Sequence, residues 1–355
     1  MANNDDRALI QPLPEEDMDY ILARCSQEFE TLRGASIFIT GASGFVGSWL
    51  TQSLLWAQDR RNLGLRLVLL TRSSTAFAAR QPGVAHHPSV HLLEGDMQSF
   101  PFPDGEVRFI IHAATTPSFS PTPVHPFATF PSDVQGTKRV LEFAKTHGTR
   151  RMLFTSSGAV YGKVPRSEQP IREDYLGAPP PSDTGSAYGQ AKRISEWLCA
   201  MVAQQFGFDI AIARLFAFMG PMLPLQAGFA FGNFLRDALN GGPIRMKGDG
   251  TPLRSYLYAA DLAVWLWTLL MRGTSCRPYN VGSPHAISIA ALARAIADHV
   301  RPGMAIEMAS TESLAGHDYV PDVQRAENEL GLRAWTSLED GIRKSRDWHT
   351  RHDKS

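Results

Sequence analysis

Short apolar runs alternate with longer stretches of helical periodicity along most of this chain. Five of these runs cover residues 36–39, 66–70, 107–111, 152–154 and 210–215. Continuous apolar runs of this length are typical of strands that are buried on both faces. Because strands separated by helices join through right-handed crossovers, the pattern predicts an α/β fold, a doubly wound parallel sheet covered by helices on both sides. Ligands of such sheets bind at the carboxyl ends of the strands.

The same pattern predicts how the chain is divided. An N-terminal helical extension, residues 1–33, carries one apolar stripe at helical spacing, formed by Met18, Ile21, Leu22, Cys25 and Phe29. This stripe either packs on the main body or binds a partner. The sheet occupies residues 34–219 and takes back residues 256–282. The less regular segments 220–255 and 283–355 are expected to form a smaller C-terminal substrate-binding domain.

Composition and charge exclude several classes of protein. Of the 355 residues, 43% are hydrophobic and 20% charged, which is typical of a folded domain. The 35 basic residues balance 35 acidic ones, so no overall field favours nucleic acid or an anionic membrane. The apolar run at residues 263–271 is too short to span a bilayer, and the first residues lack the order of a secretory signal. We therefore expect a cytoplasmic protein with neither nucleic-acid nor membrane partners.

The three cysteines, Cys25, Cys199 and Cys276, are far apart in the chain. Their odd number and wide spacing fit neither a disulfide framework nor a zinc site with paired ligands. This use of cysteine is typical of a reducing compartment, and we expect no metal site.

A glycine-rich turn, GASGFVG, follows the first strand directly and opens a helix. Gly41, Gly44 and Gly47 let the backbone approach a phosphate, and the helix N-terminus offers free amide hydrogens and the positive end of its dipole. The spacing differs from GxGxxG, and a glycine turn alone is also compatible with a simple tight turn. Its position after a strand favours dinucleotide binding.

The ends of the next strands carry further candidates for the cofactor. The second strand does not end in an acid that could hold the ribose hydroxyls of NAD. Arg72 stands there instead, and it could bind the 2′-phosphate of NADP or be an ordinary surface arginine. Both NAD and NADP therefore stay open. Asp96 follows another strand, and the small Ala113 and Ala114 would let a cofactor lie flat. His112 is expected to be a satisfied strand-end histidine.

The segment SAYGQAKRISEWL places Tyr188 and Lys192 at i and i+4, on one face of a helix. The ammonium of Lys192 would favour the phenolate form of Tyr188, which could then take up or return a hydroxyl proton. Ser157, at the end of the strand in RMLFTSS, could hold the same substrate oxygen. The order of glycine turn, serine strand end and tyrosine-lysine helix predicts a catalytic site.

Over residues 34–348 these motifs resemble the extended short-chain dehydrogenase/reductase family, in its group of nucleotide-sugar epimerases, dehydratases and decarboxylases. TGASGFVG is similar to that family's cofactor turn, and DVQGTKRVLEFA to one of its helices, with Asp133 in place of an asparagine. The resemblance implies a Rossmann-type fold, a homodimer and tightly bound NAD, while Arg72 keeps NADP open. It implies that Tyr188 is the acid/base, that Ser157 orients the sugar oxygen, and that Lys192 holds the nicotinamide ribose. The residues expected at the cofactor are Gly41, Ser43, Gly44, Phe45, Val46, Gly47, Arg72, Asp96, Met97, Ala113, Ala114, Tyr188 and Lys192.

The later half resembles the part of that family that binds a nucleotide-diphosphate sugar. Asn233 and Arg254 match its contacts to the diphosphate, and an arginine fork suits phosphate oxygens independently of the family. Gly158 and Ala159 stand where the 4,6-dehydratases carry an Asp-Glu pair. The decarboxylases carry a glutamate at Ala159 and an arginine at Gly185, and Ala217 replaces a family asparagine.

These departures favour a 4-epimerase, which needs only Tyr188 for proton transfer at carbon 4 of the sugar. An NADPH-dependent 4-ketoreductase is the first alternative, because Arg72 favours NADP. Dehydration or decarboxylation would need another carboxylate, such as Glu173 or Asp174, to reach the site. A non-catalytic protein that senses NAD(P) is the alternative from another class.

Overall fold

The structure, a computed structural model, describes residues 11–115, 126–308 and 317–350, with side chains from residue 132 onward in the helix that begins at Pro126. The described strands are β1 (Ser36–Thr40), β2 (Arg66–Thr71), β3 (Val90–Glu94), β4 (Phe109–His112), β5 (Arg151–Ser157), β6 (Asp209–Leu215), β7 (Phe218–Met219), β8 (Ile244–Met246), β9 (Leu253–Arg254), β10 (Leu257–Tyr258), β11 (Pro278–Val281), β12 (Ile287–Ser288) and β13 (Ile306–Met308). The helices are α1 (Glu15–Arg24), α2 (Ser26–Thr31), α3 (Phe45–Arg61), α4 (Ser74–Arg80), α5 (Pro82–Ala85), α6 (Pro126–Thr146), α7 (Ala187–Phe206), α8 (Ala230–Leu239), α9 (Ala259–Arg272), α10 (Ile289–Val300), α11 (Gln324–Leu330) and α12 (Leu338–Thr350).

Seven parallel strands form the central sheet in the order β11-β6-β5-β4-β1-β2-β3. Each of the five apolar runs contributes a strand, and β3 and β11 complete the two edges. The strand order reverses between β1 and β4, and ligands of doubly wound sheets bind at such a reversal. The predicted Rossmann-type α/β fold is therefore confirmed.

Helices cover both faces of the sheet, and the sheet separates two hydrophobic cores. Helices α3 and α9 pack on one face, and α6 and α7 pack on the other. Along β5, Leu153 points into the first core while Met152 and Phe154 point into the second. This alternation explains why residues 152–154 are all apolar, since both faces of the strand are buried there.

The N-terminal stripe is buried within the chain. Met18, Ile21, Cys25 and Phe29 pack in the core with α9, so their apolar surface is covered by the protein itself. The expected single helix is interrupted at Cys25, whose backbone leaves the helical region and separates α1 from α2. Helix α9 is apolar on all sides because it lies between the sheet and these helices.

Short elements lie beyond the sheet in the C-terminal part of the chain. Strand β8 pairs with β13, β9 pairs with β12, and α10 packs against α8 and α12. The division of the chain into domains stays a prediction. None of the helices in the described ranges is long and apolar enough to cross a membrane; residues 263–271 belong to the core helix α9.

Candidate active site

The carboxyl end of β5, the strand next to β4, presents Ser157 one strand away from the reversal point of the sheet. Its backbone is still extended, and its Oγ accepts a hydrogen bond from the Ala159 amide at 3.1 Å. A 3-10 turn begins at Gly158 directly afterwards. The Ser157 side chain is mostly buried, with 8% of the residue exposed. The serine is thus held at the end of the strand by the turn that follows it.

Helix α7 brings Tyr188 and Lys192 to the same end of β5. The Lys192 ammonium is buried and donates to the Thr155 carbonyl at 2.9 Å. The same nitrogen lies 5.7 Å from the centre of the Tyr188 ring. A Cβ on Gly189 would lie 2.5 Å from the Ala159 carbonyl oxygen, so the glycine lets α7 pack closely on the turn after Ser157. The structure therefore brings the serine, tyrosine and lysine together.

The glycine turn after β1 forms a cradle beside this group. Gly41 has φ +75°, and a Cβ there would lie 2.6 Å from the Ala114 amide nitrogen and 2.7 Å from the Ala113 carbonyl oxygen. A side chain at Gly47 would collide with the Gly41 carbonyl oxygen. Gly44 precedes α3, a helix of 17 residues whose N-terminus faces this turn. The geometry fits a dinucleotide, since backbone amides and a helix N-terminus are what a pyrophosphate requires.

The other cofactor candidates line the neighbouring strand ends. Ser43 in the turn is exposed, Phe45 and Val46 open α3 half-buried, and the small Ala113 and Ala114 follow β4 beside the turn. Asp96 is exposed, and its Oδ1 accepts from the Gln98 amide at 2.9 Å. Met97 packs on Gly136 of α6, where a Cβ would meet the thioether side chain at 2.5 Å.

His112, at the end of β4, is fully enclosed. Its Nδ1 lies 2.7 Å from the Thr40 hydroxyl and its Nε2 lies 3.1 Å from the Thr137 hydroxyl. Burial, together with the nearby charge of Lys192, lowers the pKa of His112 to about 3. The ring is therefore neutral and ties β1, β4 and α6 together, as expected for a satisfied strand-end histidine.

Arg72, at the end of β2, is exposed, and Thr71 stands before it instead of an acid. The Thr71 hydroxyl donates to the Ser73 carbonyl at 3.2 Å and so closes the turn. The carboxylate on the adjacent strand, Glu94, accepts from the Ser74 amide at 2.9 Å. These contacts at the end of β2 are compatible with either NAD or NADP.

The residues expected at the diphosphate lie on separate elements. Arg254, on β9, donates to the carbonyl oxygens of Leu253 and His317 at 2.8 and 2.7 Å. Asn233, on α8, accepts weakly from Arg236 at 3.4 Å. Their joint contact with a diphosphate stays a prediction.

The two carboxylates weighed for dehydration have other partners. Glu173 is buried, accepts from the Asn280 amide at 2.9 Å and lies 3.7 Å from Arg325. Burial raises the pKa of Glu173 despite these contacts. Asp174 is exposed and pairs with Arg172 at 3.0 Å. Both side chains are therefore engaged in contacts other than with Ser157.

Three residues of the site were missed by sequence reasoning. Glu196, one turn beyond Lys192, accepts from the Ser156 hydroxyl at 2.5 Å and from Arg214 at 2.7 Å. Tyr319 reaches Gly158 from the C-terminal part of the chain. The helical spacing after Lys192 could have identified Glu196, whereas contacts between residues far apart in the chain leave no local pattern for Arg214 and Tyr319.

Together, the fold and the site define a Rossmann-type protein with a dinucleotide cradle next to a serine, a tyrosine and a lysine. The family model described as "NAD dependent epimerase/dehydratase family" matches residues 37–282, and the chain belongs to this family. The resemblance to the extended short-chain dehydrogenase/reductase family is thereby confirmed. Membership supports an enzyme that uses a nicotinamide cofactor.

Comparison with individual proteins gives the same family and several activities. The chain is 30% identical over 306 residues to UDP-glucuronic acid decarboxylase 6 of Arabidopsis thaliana, covering 86% of each chain. The UDP-glucose 4-epimerase of Thermotoga maritima matches with a TM-score of 0.76 at 18% identity, over 89% of this chain and 99% of the other. The UDP-glucuronic acid 4-epimerase of Bacillus cereus, a mutant solved in complex with UDP-4-deoxy-4-fluoro-glucuronic acid and NAD, matches with a TM-score of 0.75 at 20% identity, over 89% and 99%. At these identities the two solved structures show the fold alone.

Among the described residues, no three His, Cys, Asp or Glu side chains are grouped so that they could hold a metal ion. The cysteines Cys25, Cys199 and Cys276 are free thiols. The site is built from hydroxyl groups, one ammonium and backbone amides.

Proposed function

We propose that this protein is a nucleotide-sugar 4-epimerase. The observation that carries the proposal is the meeting of Ser157, Tyr188 and Lys192 beside the glycine cradle, with Gly158 and Ala159 next to the serine. Loss of water or of carbon dioxide needs a further acid or base near carbon 5 or 6 of the sugar, and side chains without a proton cannot supply it. A reaction at carbon 4 alone needs only one proton-moving group.

In the proposed mechanism, Tyr188 takes the proton of the sugar 4-hydroxyl and later returns it. Lys192 is fixed by the Thr155 carbonyl, and its ammonium lies 5.7 Å from the centre of the Tyr188 ring. Ser157 donates a hydrogen bond to the same sugar oxygen and holds it next to Tyr188. Gly41, Gly44 and Gly47 would hold the pyrophosphate of a nicotinamide dinucleotide, which when bound would supply the acceptor and donor of hydride.

The test is a product analysis with three probe sugars: UDP-glucose, UDP-N-acetylglucosamine and UDP-glucuronic acid. The protein is incubated with NAD and each sugar, and products are identified by NMR and mass. We expect a product of unchanged mass, inverted at carbon 4, without net consumption of cofactor. Release of carbon dioxide from UDP-glucuronic acid, or loss of water from any probe, would refute the epimerase and favour the other reactions of this family.

Arg72 favours a second candidate, an NADPH-dependent reductase of nucleotide-4-keto-sugars. Its exposed guanidinium follows Thr71, where an NAD site has an acid, and a guanidinium fork suits a 2′-phosphate. Mass analysis of nucleotide released from denatured protein separates the candidates. Retained NAD favours the epimerase. Turnover that oxidises NADPH in equal amount to product, weakened about tenfold in Arg72→Ala, favours the reductase.

The substrate proposed for either reaction is a nucleotide-diphosphate sugar. The Arg254 guanidinium lies 5.9 Å from the ring of Tyr319, which in turn reaches Gly158 beside the catalytic serine. A guanidinium next to Tyr319 suits the diphosphate of a substrate whose sugar lies at Ser157. Asn233 is proposed as a second contact.

We also propose a homodimer formed through α6 and α7. The outer face of α7 carries Ile194, Trp197 and Met201 at helical spacing, with 37%, 62% and 41% of each residue exposed. A row of large apolar side chains on one helix face is typical of an interface, and Trp and Met are enriched there. Helix α6 packs alongside α7, so two helices from each copy would meet.

A further inference from the structure

Tyr319 is held at the catalytic serine by backbone bonds on both of its sides. Its amide donates to the Leu253 carbonyl at 3.0 Å, next to the bridge that joins Tyr319 to Arg254. On the other side, the Ile171 amide donates to the Val320 carbonyl at 2.8 Å. The Tyr319 ring packs on Phe216, with ring centres 4.5 Å apart. The phenol is thus placed by a rigid backbone and a stacked ring.

The hydroxyl of Tyr319 occupies the space that a side chain at position 158 would need. A Cβ built on Gly158 would collide with Tyr319 Oη and would lie 2.8 Å from Cζ of both Tyr319 and Phe216. Both rings belong to packed parts of the chain, so neither can move aside cheaply. Glycine at position 158 therefore admits the phenol to the neighbourhood of Ser157.

The hydrogen-bonding capacity of Ser157 explains what this contact does. A serine hydroxyl has one proton to donate and two lone pairs that accept. The Ala159 amide fills one lone pair at 3.1 Å, and the Tyr319 hydroxyl lies against Gly158, the next residue along the chain. If the phenol donates, both lone pairs are filled and the Ser157 proton is left for the substrate.

We propose that Tyr319 is a positioning residue: its hydroxyl donates to Ser157 Oγ and leaves the serine proton directed at the reacting oxygen of the sugar. This role rests on the proposed function, in which Ser157 binds that oxygen. Tyr319 acts through the serine and moves no proton of its own. Gly158 is its structural counterpart, because any larger residue displaces the phenol.

The charge state of Tyr319 agrees with a donor. Burial raises the pKa of the phenol above its usual range, and the positive charge of Arg254 opposes this only in part. The side chain thus keeps its proton over the pH range in which proteins are folded. A protonated phenol has a hydrogen to donate to the second lone pair of the serine hydroxyl.

The first test is a double-mutant cycle between Tyr319→Phe and Ser157→Ala, measured with whichever probe sugar the protein converts. Tyr319→Phe keeps the ring stack and removes only the hydroxyl. We expect kcat to fall about tenfold with KM changed less than about twofold. In the Ser157→Ala background the same change should have no further effect, because its target is gone. Independent losses that multiply in the double variant would overturn the proposal.

A matched control and a structural readout complete the design. Tyr256 is a buried tyrosine that stacks on Phe231, and Tyr256→Phe should leave kcat unchanged. Gly158→Ala should lower kcat as Tyr319→Phe does, and its crystal structure should show the Tyr319 ring displaced. A wild-type crystal structure with Tyr319 Oη more than about 3.5 Å from Ser157 Oγ would refute the proposed hydrogen bond. If that hydrogen bond is present and no nucleotide sugar reacts, the proposed function fails instead.

Discussion

At the scale of single residues, Gly158 and Ala159 limit the reactions that the end of β5 can support. The Ser157 hydroxyl is held by the amide of Ala159, and the methyl group of that alanine offers no proton. The family resemblance implies a glutamate at this position in the decarboxylases. The identity of 30% to such a relative therefore supports common ancestry and fold more strongly than a shared reaction.

The burial of His112 as a neutral ring makes the folded protein less stable at low pH. The folded protein holds it neutral, with its pKa lowered to about 3, whereas a histidine in the unfolded chain takes up a proton near pH 6.5. Acid therefore favours the unfolded chain: this contribution to stability is complete above about pH 6.5 and is lost as the pH falls toward 3.

We predict a pH effect that depends on this one side chain. Between about pH 6.5 and pH 5 the free energy of unfolding should fall by about 2 kcal/mol more in the wild type than in His112→Gln. Chemical denaturation at both pH values measures the difference. The exposed His91 provides the control: in His91→Gln the free energy of unfolding should fall between the two pH values as much as in the wild type. An equal fall in the free energy of unfolding for wild type and His112→Gln would contradict the assignment of a neutral buried ring.

At the scale of elements, a buried ion pair holds the strand ends beneath the proposed catalytic residues. Arg214 of β6 binds Glu196 of α7, with both side chains more than four-fifths buried, and also donates to the Tyr161 hydroxyl at 2.9 Å. Ser156 donates to the same glutamate. The pair thus fixes β5 and β6 relative to the helix that carries Tyr188.

Removing one member of this pair should cost more than removing both. Glu196→Ala leaves the Arg214 guanidinium buried without its counter-charge, and we expect a loss of about 3 kcal/mol in the free energy of unfolding. The double variant Glu196→Leu with Arg214→Met should lose less than this. Asp174→Ala, which breaks an exposed pair, should cost no more than about 0.5 kcal/mol. A similarly small cost for Glu196→Ala would show that the pair is unimportant for stability.

The N-terminal helix α1 is joined to the body by polar contacts as well as by its apolar stripe. Asp17 accepts from the Tyr258 hydroxyl at 2.7 Å and from the Lys344 ammonium at 2.7 Å. Burial raises the pKa of Asp17, and these two donors oppose that shift. Tyr20, one turn onward, donates to Asp261 of α9 at 2.6 Å. The helix therefore connects α9 and α12.

We expect Asp17→Ala to lower the free energy of unfolding by about 2 kcal/mol, because the Tyr258 hydroxyl and the Lys344 ammonium lose a buried acceptor. Urea denaturation measures this loss. Glu15→Ala changes an exposed carboxylate on the same helix and should be neutral within about 0.5 kcal/mol. Equal effects of the two variants would mean that α1 is held by its apolar stripe alone.

At the scale of the whole molecule, the outer face of α7 bears on the state of assembly. Light scattering on the purified protein should give the mass of a dimer, and Trp197→Glu should give the mass of a monomer, because a carboxylate cannot be buried unpaired in an apolar interface. Met308→Glu changes an exposed apolar residue on β13, and the protein with this substitution should remain a dimer. A monomeric wild type would refute the proposed interface.

The sequence predicted the parts of the molecule that depend on neighbours in the chain. Apolar runs identified the strands, and the turn around Gly41 and the spacing of Tyr188 and Lys192 predicted a candidate site, because period and spacing are local properties. Tyr319 and Arg214 were missed because their roles depend on contacts with Gly158 and Glu196, which tertiary folding alone brings close. The break at Cys25 was missed because an unbroken apolar stripe carries no signal for it.

The central claim is that Tyr188 moves the proton at the sugar while Ser157 and Lys192 hold the reacting groups. The most direct test is a single-turnover experiment with cofactor-loaded protein and an active probe sugar, following the absorbance of reduced nicotinamide in wild type and Tyr188→Phe. We predict a transient rise in the wild type and a rate at least about a hundredfold lower in Tyr188→Phe, with the same amount of bound cofactor. An unchanged rate in Tyr188→Phe would contradict the account.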